Sequence, residues 1–450
     1  MSSTNGHQRL HKVINTTLKH AGHNLGRRFG QLFVCLSCVF VDAGYRRALA
    51  KKRGLEECVD ELENLTEEDI EQLFDDLKTA LGEEAEENGE HFSDEHRKDL
   101  LHKAVKEAKN IEKDDSKTFS NGVNRYSIMD PEECHKLCGR NTTKAQRKER
   151  EEGAKRSARE WAIIECPNCH HTKLSIRIIS CRHARATPPD SVDHCAATGP
   201  VEDQGRCGAC WAFAASHALS GRVRLRDNSD TILRFSEQLG VDCVNAPDSG
   251  CQGGSDPEYW KYVMQHWAPT DFKYPYAGRM DSAKLAQCKD KTGRVNVQIE
   301  NVAEYLDATQ GGGIEQMKAW VAEGPVTIGF SVIDAYFQYK EGVYNEASCS
   351  STRINHAMVV CGYGKDSATG KMYWKVKNSW GRDWGENGYS RVEMGKNICN
   401  MEKEVAYPKM RTTKTDTAGL CMDDKTCSSD ANCNNIAGAC QNGKCRCTRA

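Results

Sequence analysis

The stretch QGRCGACWAFA, Gln204 to Ala214, sets two thiols three residues apart, Cys207 and Cys210, with a tryptophan directly after them. A cysteine attacks as its thiolate, and a helix N-terminus or a neighbouring imidazolium makes the thiolate accessible near neutral pH. The segment CWAFAASHALSGRVRLR predicts a helix with Trp211, Ala214 and Leu219 along one face. Cys210 falls in its first turn, where backbone N–H groups point outward. Gly205 and Gly208 permit a tight loop ahead of the helix. Cys207 lies in that loop, away from the dipole end, and is better placed as a structural bridge. Cys210 is therefore the candidate nucleophile.

The elements that must hold this thiol belong to a chain of 450 residues, which fits two or three domains. A formal charge of -2 and a mean hydropathy of -0.69 give no whole-protein case for nucleic-acid binding. No stretch reaches the length of a helical membrane span, so no stable membrane span is expected. The 23 cysteines point to an oxidising compartment. Export requires a signal, and RRFGQLFVCLSCVFVDAG is the candidate, with Arg27 and Arg28 before the apolar run 32–41; the alternative is a buried core segment. Residues 1–44 are read as this signal-like segment, although nearly thirty residues precede its core. Asn15, Asn64 and Asn141 stand in N-x-T sequons, and the latter two are glycosylation sites if the chain is exported.

Residues 45–140 are strongly charged and helix-patterned. TEEDIEQLFDDLKTAL opens on a capping box from Thr66 to Asp69 and carries Ile70, Leu73, Phe74, Leu77 and Leu81 at helical spacing. A weaker amphipathic stretch runs from about His96 to Ile111. Residues 141–187 are basic and irregular, a solvated linker suited to activation cleavage. Residues 188–410 contain alternating apolar runs such as HAMVVCGYG and MYWKVKNSW, which predict strands. Residues 411–450 hold Cys421, Cys427, Cys433, Cys440, Cys445 and Cys447, a disulfide scaffold in place of a core. Its spacing is loosely similar to an EGF-like module, and both a docking role and a plain stability clip remain open.

Cys207-Gly208-Ala209-Cys210-Trp211 matches the local signature of papain and the cathepsins. On these residues the chain resembles a papain-family cysteine endopeptidase zymogen, closely over 188–410 and more loosely before it. The resemblance implies an α+β fold: a helical lobe and a β-barrel-like lobe with a cleft between them, preceded by a helical inhibitory propeptide. In INHAMVVCGYG it assigns His356 as the base, and in KNSWGRDWGENGYSR it assigns Asn378 as the orienter of that imidazole, with Trp380 shielding their bond. Gln204 and the Cys210 backbone N–H are the implied oxyanion donors. The mechanism would pair a Cys210 thiolate with a His356 imidazolium, attack the scissile carbonyl, protonate the leaving amine and hydrolyse the acyl-enzyme. No cofactor and no metal are implied.

The resemblance also implies disulfides Cys207–Cys251, Cys243–Cys288 and Cys349–Cys399. Cys361, in an apolar run, reads as an inert buried thiol. Cys195 is either free or paired outside the domain, and the family's tryptophan is replaced by His194 beside it. The short loop between Cys243 and Cys251 favours endopeptidase over dipeptide-trimming activity. Gly253 and Gly254 line the cleft. Ser255, Asp256, Gly329, Ile354, Ala357 and Glu404 fall at positions of the pocket for the substrate's P2 side chain. An acid at Glu404 would let that pocket accept arginine as well as apolar groups, with Gly329 leaving room; alternatively Glu404 faces solvent.

Within FSNGVNRYSIMDPEECHKL, Gly122, Asn124 and Tyr126 are similar to a propeptide motif, but Ile128 stands where its acid should be. Glu95, Arg97, Asn110 and Ile111 keep part of the upstream helix motif. The implied role is to occlude the cleft in reverse, with its pH-triggered release put in doubt by the lost acid. CPNCHH sets Cys166, Cys169, His170 and His171 ahead of Cys181 and His183; haem attachment and zinc binding are weaker readings than a linker with a local disulfide. Polypeptide substrates, the protein's own propeptide and cystatin-type inhibitors are the expected partners, in a secreted or lysosomal/endosomal setting. The competing function is a catalytically silent binding protein with the same cleft.

Overall fold

The computed structural model describes residues 65–81, 93–140, 142–164, 187–244, 250–279, 288, 294–415, 438–441 and 444–447. The signal-like segment, all three sequon asparagines, the CPNCHH stretch and most of the six-cysteine tail lie outside them. Among the described residues, no helix is long and apolar enough to cross a membrane.

Helix α1, Glu67–Leu81, begins as its capping box dictates: the Asp69 amide donates to the Thr66 hydroxyl, and the Thr66 amide donates to the Asp69 carboxylate. Helix α2, Asp94–Lys113, starts at the cap Ser93 and buries Leu101, Ala104, Val105 and Ala108. Strand β1, Phe119–Asn121, a 3-10 turn at Arg125–Ile128 and helix α3, Pro131–Lys136, follow. Next comes α4, Lys144–Ile164, a helix of 21 residues. This corrects the expectation of an irregular, solvated linker. Arg150, Gly153 and Ser157 are buried along one side of α4, and no single charged residue type reveals that side in the sequence. Its mixed Lys, Arg and Glu content favours helix intrinsically, and docking decides the rest.

The remaining elements are β2 (Val192–Asp193), α5 (Cys210–Asp227), α6 (Gln238–Cys243), α7 (Asp256–His266), β3 (Ile299–Leu306), α8 (Gly313–Glu323), β4 (Val326–Phe330), α9 (Asp334–Phe337), β5 (Tyr339–Tyr344), β6 (His356–Lys365), β7 (Met372–Lys377), β8 (Tyr389–Glu393) and β9 (Val405–Met410). The tail contributes an antiparallel ribbon of β10 (Gly438–Gln441) and β11 (Lys444–Cys447). The main sheet runs β1-β5-β8-β7-β6-β4-β9-β3, with β2 on β6. Helix α5 is buried on every side from Cys210 to Val223, not on one face as its pattern suggested. Its alanines allow close approach by α6, where Gly240 lies against Ala212, and the Trp260 indole donates to the Ala215 carbonyl at 3.0 Å. A helix that contacts protein all round shows no amphipathic stripe.

One core joins α5, α7 and β6. A second lies among β4, β5, β7 and β8, and Phe119, Tyr126, Met129, Cys134 and Leu137 of the N-terminal region are part of it. Strand β1 extends the sheet by pairing with β5, with Phe119 opposite Gly342. Residues 119–137 are thus packed into the β lobe. Cys207–Cys251, Cys243–Cys288 and Cys349–Cys399 are bonded. A fourth bond joins Cys195 to Cys361, so Cys361 is not a free buried thiol. Pairing of β2 with β6, with Asp193 opposite Gly362, brings the two together.

The Arg97 guanidinium is buried; it donates to the Ile128 carbonyl at 2.8 Å and pairs with Glu133 at 3.2 Å. Ile128 itself is fully buried. The carboxylate missing at position 128 is therefore supplied to Arg97 by α3. Replacing Arg97 with Met leaves Glu133 buried with Arg206, at 3.9 Å, as its remaining cation among the described residues. Breaking one side of a buried pair costs about 3 kcal/mol at the lower end. Amide exchange across residues 119–140 in the Arg97→Met full chain should accelerate about 100-fold; an unchanged rate would show that this pair does not hold the region down.

Candidate active site

Cys210 opens α5 at the floor of the cleft, and His356 opens β6 opposite it; both are fully buried. The His356 Nε2 lies 2.9 Å from Asn378 Oδ1. The Asn378 oxygen also accepts from the Ser379 amide at 2.8 Å, which fixes the side-chain amide orientation. The Trp380 ring sits over the imidazole at 4.8 Å between centroids and seals this bond from solvent. The His356 Nδ1 has no hydrogen-bond partner among the described residues. Gln204 is held by the Ser379 hydroxyl, which donates to its Oε1 at 2.6 Å. Ser379 is a positioning residue that sequence reasoning missed. Only its place next to Asn378 hinted at it.

The cleft is full. Gln204 Nε2 donates to the Leu137 carbonyl at 2.7 Å. Gly254 N donates to the Gly139 carbonyl at 2.8 Å, and Arg140 N donates to the Asn355 carbonyl at 2.9 Å. Arg140 pairs with Gly254 as a parallel bridge. Residues 137–140 therefore run from the Gln204 side chain outward past Gly254 to Asn355. Gly139 is required there: a Cβ on it would lie 1.7 Å from the Gly208 carbonyl oxygen. Gly254 is equally constrained, since a Cβ would strike the Trp211 ring at 2.4 Å. The left-handed φ of Gly253, 119°, turns the chain into this edge.

Burial raises the Cys210 thiol. Backbone groups of Ala357, Gly139 and Trp211 and the charge of Arg140 oppose it, but the thiol is still pushed up to about 11. Burial also lowers the His356 imidazole. The Asn378 bond opposes this, Arg140 reinforces it, and the pair of effects leaves it at about 4. In this occluded state the two groups are neutral, rather than the thiolate and imidazolium expected of an open site.

The residues expected to form the P2 pocket converge on Arg140. Its guanidinium lies 3.2 Å from Asp256 and 3.1 Å from Glu404. The Glu404 carboxylate therefore faces this guanidinium. Gly329 leaves the required space: a Cβ there would meet the Arg140 guanidinium at 1.7 Å and Ile354 at 2.8 Å. Ser255, Asp256 and Ala357 are buried and Ile354 partly so. Asp256 has no exposure, and its other oxygen accepts from the Thr327 hydroxyl. Burial alone would raise this carboxyl, but Arg140 and Arg150 hold it down to about 2. Neither arginine was singled out by sequence reasoning, because long-range ion pairs leave no spacing signal.

Residues 188–409 match the papain family cysteine protease model. Among curated proteins, the chain is 38% identical over 213 residues to the thiol protease aleurain of Arabidopsis thaliana, covering 46% of this chain and 56% of that protein. It is 36% identical over 215 residues to pro-cathepsin H of Mus musculus, covering 46% of this chain and 60% of the relative. The chain thus spans a little over half the length of these relatives. The fold is similar to the proform of the ragweed pollen cysteine protease Amb a 11, with a TM-score of 0.57 and 27% identity over 78% of this chain and 95% of that one. It is likewise similar to procathepsin L 3 of the Tenebrio molitor larval midgut, with a TM-score of 0.56 and 22% identity over 76% of this chain and 99% of that one. With the thiol at a helix start, the histidine–asparagine pair opposite and the preceding segment folded over both, residues 188–409 form a papain family cysteine protease domain, and the chain shares the fold of the proform structures.

Proposed function

We propose that the protein is the zymogen of a cysteine endopeptidase, with Cys210 as nucleophile, His356 as acid–base, Asn378 as orienter and Gln204 as oxyanion donor. The observation that carries this reading is that residues 137–140 occupy the positions a substrate would take, with the Leu137 carbonyl on Gln204. Once the segment leaves, water reaches the cleft and the burial that keeps both groups neutral is relieved. His356 Nδ1, the nitrogen not bound to Asn378, then takes the Cys210 proton. The thiolate attacks the scissile carbonyl, and Gln204 Nε2 and the Cys210 N–H stabilise the oxyanion. The imidazolium gives its proton to the leaving amine, and water releases the acyl group. Residues 45–140 act as the inhibitory propeptide, and the four disulfides among the described residues suit a secreted or lysosomal/endosomal setting. Covalent labelling of acid-treated protein with a thiol-directed epoxide tests the assignment. Label on Cys210 alone supports it; no label after removal of the propeptide points instead to a silent binding protein.

Acid should open the proform. The closed site holds His356 neutral down to about pH 4, whereas an exposed imidazole takes its proton near 6.5. Between those values the open state binds more protons, so falling pH favours opening, and the closed state keeps its advantage above about pH 6.5. Asp256, held at about 2 by the two arginines, acts in the same direction below the ordinary carboxylate range. In the full-length Cys210→Ser protein, amide protection factors across 119–140, with the intrinsic pH dependence of exchange divided out, should fall from pH 7 to pH 4. A pH-independent protection factor would remove the imidazole from the release mechanism.

The P2 pocket accepts arginine through Glu404 and Asp256, with Gly329 providing depth. A charge-assisted hydrogen bond contributes about 1.5–3 kcal/mol. Glu404→Gln should therefore lower kcat/KM about 10- to 100-fold for peptides with arginine at P2, while peptides with leucine there change little. Equal losses on both series would show that Glu404 serves the fold, not selection.

A further inference from the structure

The pocket contains two guanidinium groups. Beside Arg140, Arg150 of α4 places one nitrogen 3.0 Å from the same Asp256 oxygen and 3.3 Å from the Ser255 hydroxyl. Its other terminal nitrogen is 4.0 Å from Glu404, and its guanidinium lies over the Tyr305 ring at 5.5 Å from the centroid. The Arg150 side chain is 6% exposed. The helix that delivers it is seated with care for this geometry. Gly153 packs against Tyr305, where a Cβ would come within 2.4 Å of the ring. The Tyr305 hydroxyl donates to Glu149 at 3.4 Å, and Lys261 on α7 pairs with Glu149 at 2.9 Å. The Gln316 amide donates to the Ser157 carbonyl at 3.4 Å.

Charge balance makes the second seat consequential. Two carboxylates, one with no exposure, face two guanidinium groups. A single arginine entering at P2 replaces Arg140 and leaves one negative charge in the pocket without its cation, which is costly where water is scarce. Direction gives the origin of the second cation. From the Leu137 carbonyl at Gln204 the chain proceeds outward through Gly139 to Arg140 at P2, and continues on the side from which P3 and P4 of a substrate would approach. Arg150 is reached from that side.

We propose that the opened cleft retains the seat of Arg150 as a second guanidinium subsite, made by Ser255, Asp256, Glu404 and the face of Tyr305, and that it receives an arginine at P3 or P4 of a polypeptide that also carries arginine at P2. This rests on the reading of the protein as an arginine-accepting endopeptidase. The subsite is a property of the peptidase domain that α4 hides in the proform.

The test uses acid-activated full-length protein and matched fluorogenic peptides. One series has arginine at P2 and either arginine or its neutral isostere citrulline at P3, then at P4; a second series has leucine at P2. Arginine should exceed citrulline in kcat/KM by about 10-fold or more at P3 or P4 of the first series, and Tyr305→Ala should abolish that advantage. If arginine is preferred at P2 while citrulline serves as well as arginine at both outer positions, the second subsite is overturned and the P2 reading stands. If the leucine series is cleaved with higher kcat/KM than the arginine series at every outer residue, the P2 reading itself falls. Should no turnover be obtained, fluorescence anisotropy of labelled P2-arginine peptides on the Cys210→Ser protein, freed of its propeptide by an added protease, gives the same comparison: equal binding of the arginine and citrulline forms overturns the subsite.

Discussion

Asp256 is a carboxylate with no contact with water, and a buried charge persists only where cations and donors surround it. Much of the occluded state follows from that constraint. Arg140 and Arg150 approach it from two different elements, and Thr327 donates to its second oxygen. To bring Arg140 there, the backbone before it must cross the catalytic groups, which is possible only because Gly139 passes Gly208 without a side chain. To bring Arg150 there, α4 must lie on β3, and Gly153 permits it. The ion pairs and the two glycines form one device, since neither brings the chain into the cleft without the other.

The same closure sets the protonation of the catalytic groups. Desolvation opposes the charged form of any group, and here it acts on a thiol and an imidazole together. Arg140 favours a thiolate at Cys210 yet disfavours an imidazolium at His356, so it cannot by itself create the ion pair. On the proposed reading, the occluding segment therefore suppresses chemistry in two ways: it fills the substrate's position, and its burial of Cys210 favours the proton on sulfur. The aromatic floor supports both. Tyr126 and Phe337 pack on Trp380, which in turn covers His356. Loss of the segment uncovers that floor and admits water to the imidazole in the same event.

The parts of the chain that were legible in sequence are those where local chemistry dictates the residue. The Cys207-to-Trp211 stretch, His356 and Asn378 each stand in a short context, and the capped start of α1 is written in Thr66 and Asp69. Glu404 and Gly329 were placed by the same resemblance, and in the structure they meet at one guanidinium. What was missed depends on contacts across the chain. Nothing near Arg150 marks it as different from the other basic residues of α4. Cys195 and Cys361 are 166 residues apart, and only the register of β2 on β6 reveals their pairing. Glu133 takes the role left vacant at Ile128 because α3 folds back on α2, a matter of tertiary geometry. The uniform burial of α5 likewise removes the periodicity on which a helical face is read.

On the proposed reading, one pocket latches the inhibitor and selects the substrate through the same carboxylates, which links the two properties. Whatever strengthens the hold of Asp256 and Glu404 on arginine would stabilise the closed proform and also raise the affinity of the open cleft for basic peptides. The released propeptide, which carries Arg140, would then compete with basic substrates. Reversing the chain direction separates these outcomes: the parallel bridge between Arg140 and Gly254 places an arginine in the pocket while presenting the backbone to Cys210 in the wrong sense for attack. Side-chain affinity is thereby kept without the geometry that leads to cleavage. On this reasoning the α4 helix adds a second cation and a second anchor on the far side of the pocket, so that closure does not depend on Arg140 alone.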